Sequence, residues 1–379
     1  MTQTDFRSLF DFPRDFAYLN CAYMGPIPKA SALAGQQAYA DRQRPWTLDV
    51  QDVFFDRPEA VRANAAKLFG ATADDVALMP AASYGLCTAA ANLPLGRGQD
   101  IVVLGAQFPS NVYVWRRKAE QCGGQVRTVE RADGQSWTEA LLDAIGPQTG
   151  IIAIPNVHYS DGGCVDLAAV SDAARNAGAA LVLDITQSLA TSPFDLDRIR
   201  PDFAIAAGYK WLLAPYSIAY AYVAPQHQGG TPLEDGWIIR EGAEDFASLS
   251  NYTDRFAPGA RRFDMGERGA VQTLPAALAS LEWLNTLDMG WLQSELMVRT
   301  DKLAEAVKPF GAVCRTPDRS AHILCLTLPD DAPGDLAGRM ASHGVAVSQR
   351  GPRLRVSPHI YNDEADLERF ITAVKAELA

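Results

Sequence analysis

The chain has 379 residues, 48% of them hydrophobic and 21% charged, an ordinary globular balance. That length suits a large domain of roughly 250 residues plus a smaller one. The net charge of −11 leaves no basic excess to neutralise a phosphate backbone, which excludes a general nucleic-acid binder but not one small anion in a pocket. No apolar run reaches the length of a membrane span, and MTQTDFRSLFDFPRDF has no apolar core behind a basic stretch, so neither a membrane anchor nor a signal peptide is expected. Six scattered cysteines (Cys21, Cys87, Cys122, Cys164, Cys314, Cys325) form no CxxC pair and no cluster with His. Free thiols in the cytoplasm, with no metal site, are the expectation.

From about residue 57 the pattern alternates helix and strand. Residues 57–70 read as a helix ending at Gly, Asp75 to Met79 as a short strand, and Gly85 to Leu93 as a helix of small residues. Strand-like runs follow at IVVLGA, QVRTVE, IIAIPNV, ALVLDI, FAIAAG and SIAYAYV, with amphipathic segments such as NVYVWRRKAEQCGG and DLAAVSDAARNAG between them. Continuous apolar strands alternating with helices predict an α/β fold whose mainly parallel sheet is covered on both faces. Residues 226–262 lose the rhythm, and two helical stretches follow around 271–287 and 290–308. The runs HILCLTL, DLAGRMASHG, VAVSQ and LRVSP, with a last helix from Glu364, predict a smaller α/β domain at the C-terminus.

In open α/β sheets, ligands bind beyond the carboxyl ends of the strands. ALVLDITQS ends a buried strand with Asp184 and, three residues on, Gln187; FAIAAGYKW ends the next with Tyr209 and Lys210. A lysine there is costly to bury as a cation, so its proton affinity should fall, and a partly neutral amine is what carbonyl condensation needs. The bland alternative is a buried Asp–Lys ion pair without a cofactor. A dinucleotide site would want G-x-G-x-x-G after the first strand, and none is present.

The segment LVLDITQSLATSPFDL…DFAIAAGYKWLLAP resembles the aminotransferase class V family, enzymes of fold type I that bind pyridoxal 5'-phosphate (PLP), and YLNCAYMGPIP and LRVSPHIYNDEADLERFI extend the likeness to both ends. The resemblance implies a large PLP-binding domain over 21–260, a small domain over 261–379, and an N-terminal segment, 1–20, near the active site. It makes Lys210 the Schiff-base and proton-shuttling residue, Asp184 the partner of the pyridine nitrogen, and Gln187 the partner of the ring hydroxyl. Phe108 would stack on the ring. The phosphate would lie against AASYGL, where the start of a helix favours an anion, with Ser83, Tyr84 and Tyr209 as further contacts.

Arg355 matches the family residue that clamps the substrate α-carboxylate, while Arg350 and Arg353 read as edge arginines in solvent. RRFDMGERGA resembles a segment that reaches the partner's phosphate, implying a homodimer; Glu267 stands there where Thr is frequent. Tyr209, in place of a frequent His, and the Phe-Pro pair lean toward the kynureninase-like and isopenicillin-N-epimerase-like branch. The stretch MASHGVAVSQRGPR lacks the cysteine of persulfide-forming desulfurases. The expected activity is transamination, epimerisation or C–S/β-lyase chemistry on a small amino acid. A kynureninase-like hydrolase and a catalytically silent binding protein are the alternatives. The loop 45–59 and Tyr18, Tyr23 and Met24 are candidates for shaping the substrate pocket.

Overall fold

The computed structural model of the chain describes residues 5–379. Its centre is a seven-stranded sheet whose spatial order is Val76–Met79, Ala219–Val223, Phe203–Ala207, Ala180–Asp184, Thr149–Pro155, Asp100–Leu104 and Gln125–Val129. Five strands run parallel, and Ala219–Val223 runs antiparallel to both of its neighbours. The reversal has a local cause. The connection after Ala207 is too short for a crossover helix, so the chain must double back. Gly208 N donates to Ile218 O at 2.8 Å, closing the base of that loop. A Cβ on Gly208 would lie 2.9 Å from the Ile218 side chain and carbonyl oxygen, so only glycine fits.

Strand side chains alternate between two cores. Val76 and Leu78 enter one, and Ala77 and Met79 the other. Helices Ala82–Asn92 and Ser110–Cys122 cover the second face with Leu86 and Trp115. Helices Arg57–Phe69, Trp137–Ala144 and Leu167–Ala177 cover the first. Both faces are thus dry, as the unbroken apolar runs require.

The smaller unit is an antiparallel sheet ordered Ser348–Arg350, Arg353–Val356, Leu324–Thr327, Val313–Cys314. Its core takes Leu303 of helix Met289–Val307, Met340 of helix Leu336–Ser342 and Phe370 of helix Glu364–Leu378. Where the small unit begins is set by which core each helix enters. Helix Leu274–Leu284 sends Leu274, Ala277, Leu281 and Leu284 into the large core, because the small residues of helix Lys29–Asp41 let it pack closely there. We place the division near residue 288. Ala17–Tyr18 pairs in parallel with Val345–Ala346, so the N-terminal segment joins the small unit before crossing to the large one. Among the described residues no helix is long and apolar enough to cross a membrane, and all six cysteines are free thiols.

Candidate active site

Asp184 closes the strand Ala180–Asp184, and Lys210 stands in the loop after the neighbouring strand Phe203–Ala207. Both line one cavity, at 8% and 7% exposure. Thr186 fixes the carboxylate: its N–H donates to Asp184 Oδ1 at 3.1 Å, and its hydroxyl accepts from Ala207 N at 3.1 Å. The two strand ends are therefore stitched together beneath the site. Burial pushes the Lys210 amine down to about 8; Asp184 opposes that fall, and Arg355 and Arg350 reinforce it. A sizeable fraction of the amine is neutral near neutral pH, as covalent chemistry at a carbonyl requires.

The N-terminal segment backs the lysine. Gly25 N donates to Tyr209 O at 2.9 Å, and a Cβ on Gly25 would fall 2.0 Å from Lys210 O. Gln187 Nε2 donates to Ala22 O at 3.2 Å, and Gln187 Oε1 accepts from Trp211 Nε1 at 2.8 Å. The Gln187 amide is thus locked in place, with one N–H left for the cavity. Behind this layer lie His322 and His359, against the two sides of Trp211 at 4.5 and 5.8 Å. Burial drives them down to about 4 and about 3. Both are neutral near pH 7, so the wall behind Lys210 holds no mobile charge.

The cavity's other walls are aromatic. Lys210 Nζ lies 5.3 Å from the Phe108 ring centre and 5.6 Å from that of Tyr209. Tyr209 leans on Tyr216 at 4.5 Å, and Phe108 meets Tyr159 edge-on at 5.5 Å. Phe108 keeps 42% of its surface exposed, which a packing role would not explain. At one end the helix Ala82–Asn92 opens toward the cavity with no side-chain cap on its first N–H groups, and Ser83 is exposed there. A helix start with free donors accepts an anion. Tyr84 is not brought in: it turns to Glu234, whose carboxylate, with burial, raises the phenol's proton affinity. Glu234 also accepts from Gly266 N at 2.6 Å, and Glu267 is exposed.

Arg355 is 1% exposed and sits where the small sheet meets the large domain. One terminal nitrogen donates to Tyr159 O at 2.8 Å, the other reaches Ser348 Oγ at 3.5 Å, and Nε has no acceptor. Burial and the nearby Arg350 push it down to about 10. A buried guanidinium without a carboxylate is short of one anion. Asn111, Thr186, Tyr159 and Tyr216 were not singled out from sequence, yet all line the cavity. Asn111 is the most telling, since its buried Nδ2 lacks an acceptor while its Oδ1 accepts from Trp115 at 2.7 Å. An Asn just past the strand-end loop QFPSN was the available signal.

These features fit PLP: a reactive buried amine, a carboxylate beside it, an exposed ring to stack on, and a helix start for phosphate. The family profile of "Aminotransferase class-V" matches residues 49–370. The chain therefore belongs to the aminotransferase class-V family, PLP-dependent enzymes of fold type I. It is 30% identical to a kynureninase of Deinococcus radiodurans, over 80% of this chain and 74% of that one. It is 26% identical to an isopenicillin N epimerase of Streptomyces clavuligerus, over 94% of each. Among solved structures, a C-DES mutant with glycine covalently linked to its PLP cofactor superposes with a TM-score of 0.87 at 17% identity, covering 98% of this chain and 99% of that one. The cysteine desulfurase CsdA of Escherichia coli gives 0.84 at 22% identity, covering 98% and 97%.

Proposed function

We propose that the protein acts on a small α-amino acid held between Lys210, which binds PLP covalently, and Arg355, which binds the α-carboxylate. The observation that carries this reading is a buried lysine in the cavity with a buried arginine close behind the cavity wall, bound to Tyr159 O and lacking a carboxylate. When bound, the cofactor supplies an electron sink for charge developing at the substrate's α-carbon. Asp184 offers a fixed negative charge to the ring nitrogen, Phe108 covers the ring face, and the remaining Gln187 N–H reaches for the ring hydroxyl. Ser83 and the start of helix Ala82–Asn92 receive the phosphate. With the cofactor bound, the Lys210 amine would hold and return the proton of the α-carbon.

The test is direct. Purified protein reconstituted with PLP should absorb in the visible, and borohydride should fix the cofactor on the peptide carrying Lys210. Protein that stays colourless with added PLP sinks the assignment.

A kynureninase-like hydrolase is the second reading, favoured by the aromatic walls Phe108, Tyr159 and Tyr216 and by the relative of that name. Loss of kynurenine from solution on adding enzyme would select it. Persulfide chemistry has less support: Cys325 is buried on the small sheet, and burial pushes its thiol up to about 12. We infer a cytoplasmic homodimer, with exposed Tyr23, Met24, Leu33, Tyr39 and Trp46 as candidate interface residues.

A further inference from the structure

Arg350 and Arg355 stand on adjacent antiparallel strands, Ser348–Arg350 and Arg353–Val356. Ser348 lies opposite Arg355, and Arg350 lies opposite Arg353. Opposed residues share a face, so Arg350 and Arg355 are diagonal neighbours, about 7–8 Å apart along the backbone. That face is the one turned from the small core, because Leu354 and Val356 fill the core side. Ser348 sits between the two arginines, anchored by donating to Asn20 Oδ1 at 2.8 Å.

Arg350 is exposed, as an edge arginine would be, but one contact ties it to the cavity wall. The Arg350 guanidinium lies 5.2 Å from the ring centre of Tyr159. Tyr159 in turn meets Phe108 edge-on, and both rings wall the cavity that contains Lys210. The stacking parks a cation at the rim. Among the described residues neither Arg350 nor Arg355 joins an ion pair, and Asp184 is the one carboxylate that lines the cavity. Arg353 differs, since it lines a separate cleft with Cys325, Thr327 and Arg315. Of the three arginines on this face, all without an ion pair among the described residues, Arg350 and Arg355 both contact Tyr159 in the cavity wall, Arg350 at its ring and Arg355 at its carbonyl oxygen. Like charges so placed repel each other, and an anion bound by both would relieve that repulsion.

We propose that the substrate is an amino acid whose short side chain ends in a second acid group, a carboxylate or a sulfur oxyacid, with Arg355 taking the α-carboxylate and Arg350 the side-chain acid. The inference rests on the amino-acid pocket of the preceding subsection and adds the charge of the side chain. It is tested by calorimetric titration of the PLP-loaded enzyme. L-aspartate, L-glutamate and L-cysteine sulfinate are compared with L-asparagine, L-glutamine and L-alanine. The acids should bind at least about tenfold more tightly than their neutral counterparts, as a charge-assisted fork implies. Arg350→Gln should erase that advantage, and Arg353→Gln should leave it intact. An advantage confined to the carboxylates or to the sulfinate supports the proposal and identifies the acid. Equal binding of acids and neutral counterparts, or an advantage that survives Arg350→Gln, overturns it and leaves the amino-acid pocket standing. If no amino acid of either group binds, both readings fall together.

Discussion

Lys210 must be basic enough to move a proton and neutral enough to attack a carbonyl, and its surroundings set that balance. Burial lowers its proton affinity to about 8, Asp184 raises it, and Arg355 lowers it again. Only the neutral amine captures PLP, so capture by the apo-protein should quicken as pH rises through about 8. Losing the opposing carboxylate in Asp184→Asn should move that midpoint down, and losing the guanidinium in Arg355→Gln should move it up. Stopped-flow absorbance checks both, and a shift in the reverse sense would show that these charges do not act on the amine. Asp184→Asn should also cut turnover by about 100-fold or more, roughly 3 kcal/mol of barrier, while PLP stays bound. That Lys210 and Asp184 share one cavity was legible in their place at the ends of neighbouring apolar strands, but their roles came from the family resemblance. Tyr159 was not legible, since nothing local distinguishes a cavity-facing Tyr from a surface one, and Asn111 was marked only by its place in the strand-end loop QFPSN.

At the scale of elements, the loop 20–25 is the brace of the site. It meets Lys210 O with the Cys21 thiol, at 3.9 Å, and with the bare backbone of Gly25, where no side chain fits. Gly25→Ala would force a carbon into a gap of 2.0 Å and push the lysine loop away. We expect PLP occupancy to drop sharply while the far-ultraviolet circular dichroism is unchanged, because the clash falls between two loops and not within a helix or strand. The strands and most helices were readable from period and punctuation. Helix Lys29–Asp41 was not, because it buries little: Ser31 and Ala38 face inward, and Ser280 Oγ donates to Ser31 Oγ at 2.9 Å. A helix that packs through small and polar residues has no apolar stripe to read. Helix Trp137–Ala144 did carry a signal, the capping box from Ser136 to Glu139.

For the whole molecule, the proposed dimer follows from where large apolar side chains remain uncovered. Trp46 at 79% exposure and Tyr39 at 68% are poor surface residues for a monomer. Light scattering should give twice the chain mass at assay concentration, and Trp46→Glu with Tyr39→Glu should weaken association. An active monomer at that concentration would rule the dimer out. The small unit's strands and helices were legible, whereas the core that receives the helix before them was not. Helix Leu274–Leu284 reads alike whichever core receives it, and its destination depends on a helix far back in the chain.

The pairing of Ala17–Tyr18 with Val345–Ala346 also bears on how the protein is made. The segment that braces Lys210 leaves the ribosome long before its strand partner does. The seven-stranded sheet uses residues 76 to 223 and can form meanwhile. Closing so long a loop is slow and comes late. Newly made chains should therefore pass through a stage with a folded sheet and an open, unbraced lysine loop, and competence for the cofactor should arrive only once Val345–Ala346 has emerged.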